Sequence, residues 1–243
     1  MNSIKYAFFS KGHDGCLIYP GIMQKKENKN LDTKLYITKI GTDKVISNEK
    51  YIYDNLPEEF NNVHYSKECY LDDFNLDENF KHFDKNIITR INEKKNNHIS
   101  YNKMMTIKLL KGNDLSNFLK NKIEINAQNV YNLLKSLIKF YNFIEILNLK
   151  YNIYHKDITS HNIIWCKETN SIFLVDFAQS KTYSPNKKPS YLPNKDLDDT
   201  LDVINSIITY SCKKFNVKIL NIKTINELIK NIPTIKNKLF DKK

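Results

Sequence analysis

The 243-residue sequence has one arginine, Arg90, one tryptophan and only five glycines. Lysine supplies nearly all of the positive charge, and the formal net charge is +11 at pH 7. Proteins that read specific nucleic-acid sequences rely on arginine for bidentate contacts to guanine. The shortage of arginine therefore argues against a specific nucleic-acid reader, and we expect only nonspecific attraction to acidic surfaces.

Other absences narrow the class of protein. The four cysteines have no C-x-x-C spacing, which is typical of reduced thiols inside a cell. No apolar run approaches membrane-spanning length, and the charged start of the chain does not resemble a secretory signal. No Pro-, Gly- or Ser-rich linker divides the chain. We expect one soluble, intracellular domain over residues 1–243, with no membrane partner.

A polar motif lies in the second half of the chain. Residues 154–162 read Y-H-K-D-I-T-S-H-N, with Asp157 and Asn162 five apart, and Asp176 follows in L-V-D-F-A. Short apolar runs on either side of residues 167–171 predict a β-hairpin between the two motifs. The first motif alone arises by chance in chains rich in Asn and Lys, so the hairpin context is what gives it weight.

The spacing of these residues suits phosphoryl transfer from a magnesium nucleotide. That reaction needs a carboxylate to hold the acceptor hydroxyl in line and metal ions to neutralise phosphate charge. Magnesium prefers hard oxygen ligands. We expect Asp157 to orient the hydroxyl, and Asn162 and Asp176 to bind Mg²⁺.

Two features of the first half have both a functional and a plain structural interpretation. S-K-G-H-D-G-C-L (10–17) fits a glycine-rich phosphate loop between two strands, but it also fits an ordinary hairpin turn. Lys39 lies in the β-type run L-Y-I-T-K-I (35–40), where the alternative is a surface lysine on an edge strand. Residues from Thr42 or Asp43 to about Leu56 predict a helix that places Glu49 inside an apolar stripe. A buried carboxylate needs a partner, and Lys39 is the obvious candidate.

Together these four segments resemble the eukaryotic-type protein kinase superfamily, over about residues 1–208. G-x-x-G-C-L-x-x-P-G (12–21) is similar to small serine/threonine kinases of large DNA viruses, which would place the protein in the host cytoplasm or the virion. The resemblance implies a two-lobed α+β fold. Its N lobe, about 1–110, would be β-rich with one helix, and its C lobe, about 111–243, would be trimmed and mainly helical.

The resemblance also implies roles for individual residues. ATP and Mg²⁺ would be bound and a protein hydroxyl phosphorylated, with Lys39 and Glu49 acting on the phosphates. Gly12, Gly15 and Leu17 would lie over the nucleotide. The strand Tyr101–Leu110 would lead into a hinge where backbone groups of Lys108 and Leu110 bind adenine. One of Asp196 and Asp198 would anchor the catalytic loop, and His155 would brace it.

The chain departs from the kinase pattern at several positions. Thr159 replaces a lysine that helps to neutralise the transferred phosphate, so either Lys156 compensates or the rate of transfer is lower. Lys156 itself replaces the arginine of H-R-D, whose bidentate geometry lysine cannot copy. Ala178 replaces the glycine of D-F-G, and A-P-E is missing. These changes keep open a pseudokinase, an atypical kinase of the Bud-thirty-two type, and a small-molecule kinase.

The remaining segments carry structural expectations. Helical periodicity predicts long helices over about 130–147, after Asp196 and over about 225–239. The segment Leu71–Ser100 is polar and charged, and we expect a solvated insertion between two N-lobe strands. A partner protein that binds at this insertion is the alternative.

Overall fold

The structure is a computed structural model that describes residues 7–11, 15–19, 35–75, 83–120, 126–187, 192–216 and 222–240. The chain divides into two compact units. The first comprises Met1–Leu56 and Ser66–Leu109, and the second comprises Pro57–Tyr65 and Leu110–Lys243. The short segment Pro57–Tyr65 therefore belongs to the second unit although it interrupts the first in sequence.

A five-stranded antiparallel sheet forms the first unit. Its strands are β1 (Ala7–Lys11), β2 (Gly15–Tyr19), β3 (Tyr36–Gly41), β4 (Cys69–Asp73) and β5 (Lys103–Lys108). Their order across the sheet is β1-β2-β3-β5-β4. All six residues of β3 are buried, as expected for a central strand covered on both faces. The strands predicted near residues 6–10, 16–19, 35–40 and 101–110 are confirmed to within a few residues.

Helix α1 (Asp43–Asn55) follows β3 directly. The Thr42 side chain accepts a hydrogen bond from the Val45 N–H and so caps the helix, which ends at Leu56 before Pro57. This is the predicted helix. Ile46, Glu49, Ile52 and Tyr53 form its buried stripe.

The expectation of a solvated insertion at Leu71–Ser100 is wrong for the described part of that segment. Strand β4 pairs with β5, and Lys85–Asn96 forms a second helix, α2, capped by Asp84. Ile87 and Ile91 of α2 are buried in a cluster with apolar residues of β2, β3 and β5. Three apolar residues on one face are enough to pack the helix onto this cluster, although its composition is polar and most of its residues are exposed.

The described residues of the second unit form four helices and five short strands. The helices are α3 (Leu115–Leu119), α4 (Ala127–Leu149), α5 (Leu192–Lys214) and α6 (Ile225–Phe240). The strands are β6 (Asn113–Asp114), β7 (Ile153–Tyr154), β8 (Ile163–Cys166), β9 (Ser171–Leu174) and β10 (Lys181–Thr182). Helix α4 packs against α5 and α6, and the predicted helices and the predicted β8–β9 hairpin are confirmed. No described helix is both long and apolar enough to cross a membrane.

Gly112 shows how closely the chain passes the β8 strand at the start of this unit. Its φ is +131°, and an added Cβ would lie 2.5 Å from the carbonyl oxygen of Trp165. Only glycine tolerates both the backbone angle and this approach. The residue lets β6 pair with β8.

The segment Pro57–Tyr65 is fixed to the second unit by aromatic packing. It contains a 3₁₀ turn at Glu58–Phe60. The rings of Phe60 and His64 lie 5.1 and 4.6 Å from that of Phe143 on α4. The His64 carbonyl also accepts a hydrogen bond from the Leu174 N–H at 2.7 Å. The segment is thereby joined to both α4 and β9.

Candidate active site

The loop between β7 and β8 carries Lys156 and Asp157, two of the predicted catalytic residues. The carboxylate of Asp196 anchors the backbone of this loop. Both oxygens of this buried carboxylate accept backbone hydrogen bonds, from the His155 N–H at 2.7 Å and the Lys156 N–H at 2.8 Å. Lys156 has a φ of +69°, which is unusual for a residue with a side chain. The carboxylate thus stabilises a strained turn immediately before Asp157.

The sequence left Asp196 and Asp198 as alternative anchors of the loop, and the structure identifies Asp196 as the one that contacts it. Asp196 is 1 % exposed, whereas Asp198 is an exposed residue of the same helix. Fully buried Asn148 on α4 supports the anchor, a role that sequence reasoning missed. With its amide nitrogen turned toward them, it donates to Ile153 O at 2.8 Å and to Asp196 Oδ2 at 3.3 Å. The available signal was a polar residue beside Leu147 in an otherwise apolar stripe.

His155 braces the loop as expected. Its Nε2–H donates to the carbonyl of Val175 at 3.0 Å, and its ring meets that of Phe177 edge-on at 5.0 Å. The side chain is fully buried, and this burial lowers the pKa of His155 below its usual value. A neutral imidazole therefore links the catalytic loop to the V-D-F-A segment.

Asp157 and Asn162 are tied to each other across the loop. The Asn162 side-chain nitrogen donates to both the backbone carbonyl and the carboxylate of Asp157, each at 2.9 Å. This assignment leaves the Asn162 amide oxygen as the acceptor that faces away from Asp157. An oxygen ligand in this position suits Mg²⁺.

Asp176 is connected to Asn162 through the hairpin. The Val175 N–H, one residue before Asp176, donates to the Asn162 carbonyl at 3.0 Å. Asp176 has a left-handed backbone, with φ +63° and ψ +65°, and the following residues turn into a 3₁₀ helix at Phe177–Gln179. The structure thus brings the two predicted metal ligands to neighbouring positions on one hairpin.

Ala178 is accommodated without the backbone angle that would require glycine. Among the described residues, the positive φ of this segment falls at Asp176 and not at Ala178. Phe177 is fully buried between the rings of His155 and Tyr65. The replacement of glycine by alanine therefore costs no strain in this conformation.

Thr159, which stands where kinases usually have a lysine, lines a cavity of about 240 Å³ beside the catalytic loop. Other residues of the cavity come from the same loop and from α5, and they include Ile158, Ser160, Asp199 and Asp202. The side chain of Lys156 is half-buried. No lysine is found among the described residues that line this cavity.

In the first unit, Lys39 and Glu49 form the predicted ion pair. The ammonium nitrogen of Lys39 lies 2.7 Å from Glu49 Oε2, and the two residues are 5 % and 1 % exposed. Lys39 is on the central strand β3 and Glu49 on the buried face of α1. The alternative of a surface lysine on an edge strand is excluded.

The other predicted nucleotide residues of this unit fall on or beside the same sheet. Leu17 pairs with Lys39 in register, so their side chains project from one face. Gly15 opens β2, whereas Gly12 lies outside the described residues. The Lys108 N–H donates a hydrogen bond to the Glu68 carbonyl, so this N–H does not bind adenine.

The predicted adenine contact near Lys108 and Leu110 must therefore use backbone groups other than the Lys108 N–H. Leu110 follows β5 by two residues and belongs to the second unit. The Lys108 side chain forms an ion pair with Glu68 at 3.1 Å.

The sheet-rich first unit, the helical second unit and the His155–Asn162 loop define a protein-kinase-like fold. Among solved structures, the chain is similar to the kinase PK-1 of Cydia pomonella granulovirus. The two share 16 % sequence identity with a TM-score of 0.52, over 85 % of this chain and 71 % of the viral kinase. No family model and no curated protein matches the sequence. At this identity the similarity establishes the fold alone.

Proposed function

We propose that this protein is an ATP-dependent protein kinase that transfers the γ-phosphoryl group to a protein hydroxyl. We propose further that this hydroxyl belongs to a serine or threonine. The observation that carries the proposal is the way the catalytic loop is held. Asp196 fixes the backbone before Asp157, and Asn162 fixes Asp157 itself. Such positioning is what phosphoryl transfer asks of a protein, because there is little covalent chemistry for it to do.

Each residue then has a distinct task. Asp157 orients the acceptor hydroxyl and accepts its proton as the oxygen–phosphorus bond forms. Asn162 and Asp176 supply oxygen ligands for Mg²⁺, which neutralises charge on the phosphates when bound. Lys39, held by Glu49, donates to the α- and β-phosphates.

The two units would serve as the lobes of one domain over 1–243. In kinases the lysine of the first lobe and the metal ligands of the second act on the same nucleotide. The Lys39–Glu49 ion pair is the arrangement expected of the active state. It supports an active kinase over a pseudokinase, because an interaction module has no physical need for a lysine buried with its carboxylate on the phosphate-binding strand.

The test is transfer of radiolabelled phosphate from ATP, with Mg²⁺, to generic protein acceptors. Asp157→Asn should lower the rate by about a hundredfold or more, because the carboxylate that handles the proton is lost. Asp176→Ala should abolish both transfer and magnesium-dependent ATP binding. Glu168→Gln, an exposed carboxylate on the β8–β9 turn, is the matched control.

Two results would contradict the proposal in different ways. Equal transfer by wild type and Asp157→Asn would show that the loop is not catalytic. Magnesium-dependent ATP binding without transfer, at high protein concentration, would identify a pseudokinase. Phosphoamino-acid analysis of labelled acceptors then tests the serine/threonine assignment.

A further inference from the structure

A groove on the second unit lies where the Pro57–Tyr65 segment packs against the C-terminal end of α4. It has a volume of about 530 Å³, and we call it the α4 groove. Its lining residues are Glu59, Phe60, Glu145, Ile146, Leu149 and Lys150. None of them belongs to the proposed active site.

The apolar part of the groove is unusually exposed. Leu149 is 53 % and Ile146 36 % exposed, although both lie on a helix whose opposite face is buried. The two residues are three apart, so they form one patch on the helix surface. Helix α4 therefore presents apolar side chains on its outer side as well as toward the core.

The floor of the groove is rigid. Phe60 packs edge-on against Phe143, and Glu59 accepts hydrogen bonds from Tyr151 Oη at 2.6 Å and Lys150 Nζ at 3.3 Å. The hydrogen bond from Tyr151 and the nearby Lys150 lower the pKa of Glu59, so the carboxylate is charged at neutral pH. A preformed apolar patch is favourable for binding because little ordering is required.

The charge of the groove is opposite to that of the protein. Two carboxylates line it against one ammonium, and that ammonium is already paired with Glu59. Glu145 forms no ion pair with another described residue. Burial, with the carboxylates of Glu145 and Asp198 nearby, raises the pKa of the Tyr141 hydroxyl.

We propose that the α4 groove is a docking site for a basic segment of a partner protein, in which apolar side chains insert between Phe60 and Leu149 while lysine or arginine faces Glu145. Apolar anchors give such contacts their affinity, and complementary charge gives them register and selectivity. The inference does not depend on the proposed kinase activity. A partner with acidic flanks is the alternative that the net charge of +11 alone would favour.

The proposal and the net charge of the protein predict opposite preferences, so a comparison of basic and acidic peptides distinguishes them. Two fluorescent peptides patterned as amphipathic helices, one of leucine and lysine and one of leucine and glutamate, are titrated with the full chain and followed by anisotropy. Nonspecific attraction to a protein of charge +11 favours the glutamate peptide. Tighter binding of the lysine peptide is therefore expected only if the groove is recognised.

Variants locate the binding. Leu149→Asp should weaken binding of the lysine peptide by about tenfold or more, because it places a charge in the apolar contact. Glu145→Lys should reverse the preference between the two peptides. Ile229→Asp on α6 and Glu168→Lys on the β8–β9 turn make the same chemical changes at exposed positions outside the groove and should leave both affinities unchanged.

Each result decides the matter. Preference for the lysine peptide, lost in Leu149→Asp and reversed in Glu145→Lys, supports the proposal. Preference for the glutamate peptide in wild type overturns it, as does equal weakening by the groove variants and their controls. Unfolding midpoints of all four variants, measured by circular dichroism, separate loss of docking from loss of the fold.

Discussion

Within the described part of the chain, each unit buries one carboxylate, and the hydrogen-bond partners of the two differ. Glu49 in the first unit and Asp196 in the second are both 1 % exposed. Glu49 meets the ammonium of Lys39, whereas Asp196 accepts two backbone N–H groups of the catalytic loop. The first is an ion pair between two side chains, and the second is an anchor between one side chain and the main chain.

The difference determines what each carboxylate can control. An ion pair fixes two side chains relative to each other, and either partner alone is a buried charge with a high desolvation cost. A backbone anchor fixes a main-chain conformation, including the left-handed Lys156, through a single residue. The first arrangement is suited to presenting a charged group, and the second to holding the loop that carries Asp157 and Asn162.

The largest effect is expected from breaking the ion pair. Lys39→Met or Glu49→Leu alone should cost about 3–5 kcal/mol of unfolding free energy, because the buried charge that remains loses its ion-pair partner. The double variant should recover most of this stability, since neither charge remains. Urea unfolding followed by circular dichroism, together with amide hydrogen exchange of β3 and β5, measures both effects.

The matched control lies on the same sheet. Lys103 and Asp73 form an exposed ion pair at 2.5 Å, and Asp73→Asn should leave stability and exchange unchanged because solvent screens the charges. A double Lys39–Glu49 variant as unstable as the single variants would show that packing, and not charge, accounts for the loss.

Breaking the backbone anchor should have the next largest effect. Asp196→Ala leaves two buried N–H groups without an acceptor and should cost about 2–4 kcal/mol. Asp196→Asn retains one acceptor oxygen and should cost about half as much. Trp165, the sole tryptophan and buried on β8, reports unfolding of this unit by fluorescence.

Asp198→Ala provides the comparison within the same helix. Asp198 is exposed, so its removal should change neither stability nor phosphate transfer. Equal destabilisation by Asp196→Ala and Asp198→Ala would contradict the assignment of the anchor.

The sequence predicted the burial of Glu49 directly, but it identified Asp196 only as one of two candidates. Glu49 was predicted to be buried because it falls in a stripe at helical spacing, and Lys39 was the nearest cation on a neighbouring strand. Asp196 could not be separated from Asp198, since both stand at the start of one helix and only the packing of α5 selects the inward one. Asn148 was missed because it is one of several polar residues of α4, and helical spacing alone does not show which of them contacts Asp196.

The region 71–100 shows where composition misleads. Its charged residues predicted a solvated loop, yet β4 and α2 occupy it. The signals were local: Asp84 three residues before Ile87 is an N-cap spacing, and Ile87, Ile88 and Ile91 share one helical face. Averaging over thirty residues concealed a helix that needs only three apolar side chains. The motifs of the second unit were clearer because their spacing matches a defined pattern, that of protein kinases.

Acid should weaken the second unit through its buried histidines. Burial lowers the pKa of both His64 and His155 below the ordinary value of 6.5. Well above pH 6.5 both are neutral in the folded and unfolded states, so they cause no pH dependence there. As the pH falls below 6.5 the unfolded chain binds protons that the folded chain excludes, and stability falls.

We therefore expect a loss of unfolding free energy between pH 7 and pH 5.5, to which both histidines contribute. Urea unfolding followed by Trp165 fluorescence at a series of pH values measures it. His64→Phe keeps an aromatic ring against Phe143 and should reduce the slope, whereas His161→Gln, at an exposed position, should not. A slope unaffected by His64→Phe would show that other groups govern the acid response.

The smallest effect is expected from removing helix N-caps. The comparison is between the cap of α1, the helix that carries Glu49, and the cap of α4, the long helix of the second unit. Thr42 caps α1 through a 3.4 Å hydrogen bond from Val45 N, and Asn126 caps α4 through a 2.8 Å bond from Asn129 N. Asn126→Ala should therefore cost about 1 kcal/mol and Thr42→Ala about half of that, because the longer bond is weaker. Thr42→Ser, which keeps the hydroxyl, should be nearly silent in hydrogen exchange of α1. A larger loss for Thr42→Ala than for Asn126→Ala would mean that the cap positions Glu49 for Lys39 and so shares in the energy of the buried ion pair.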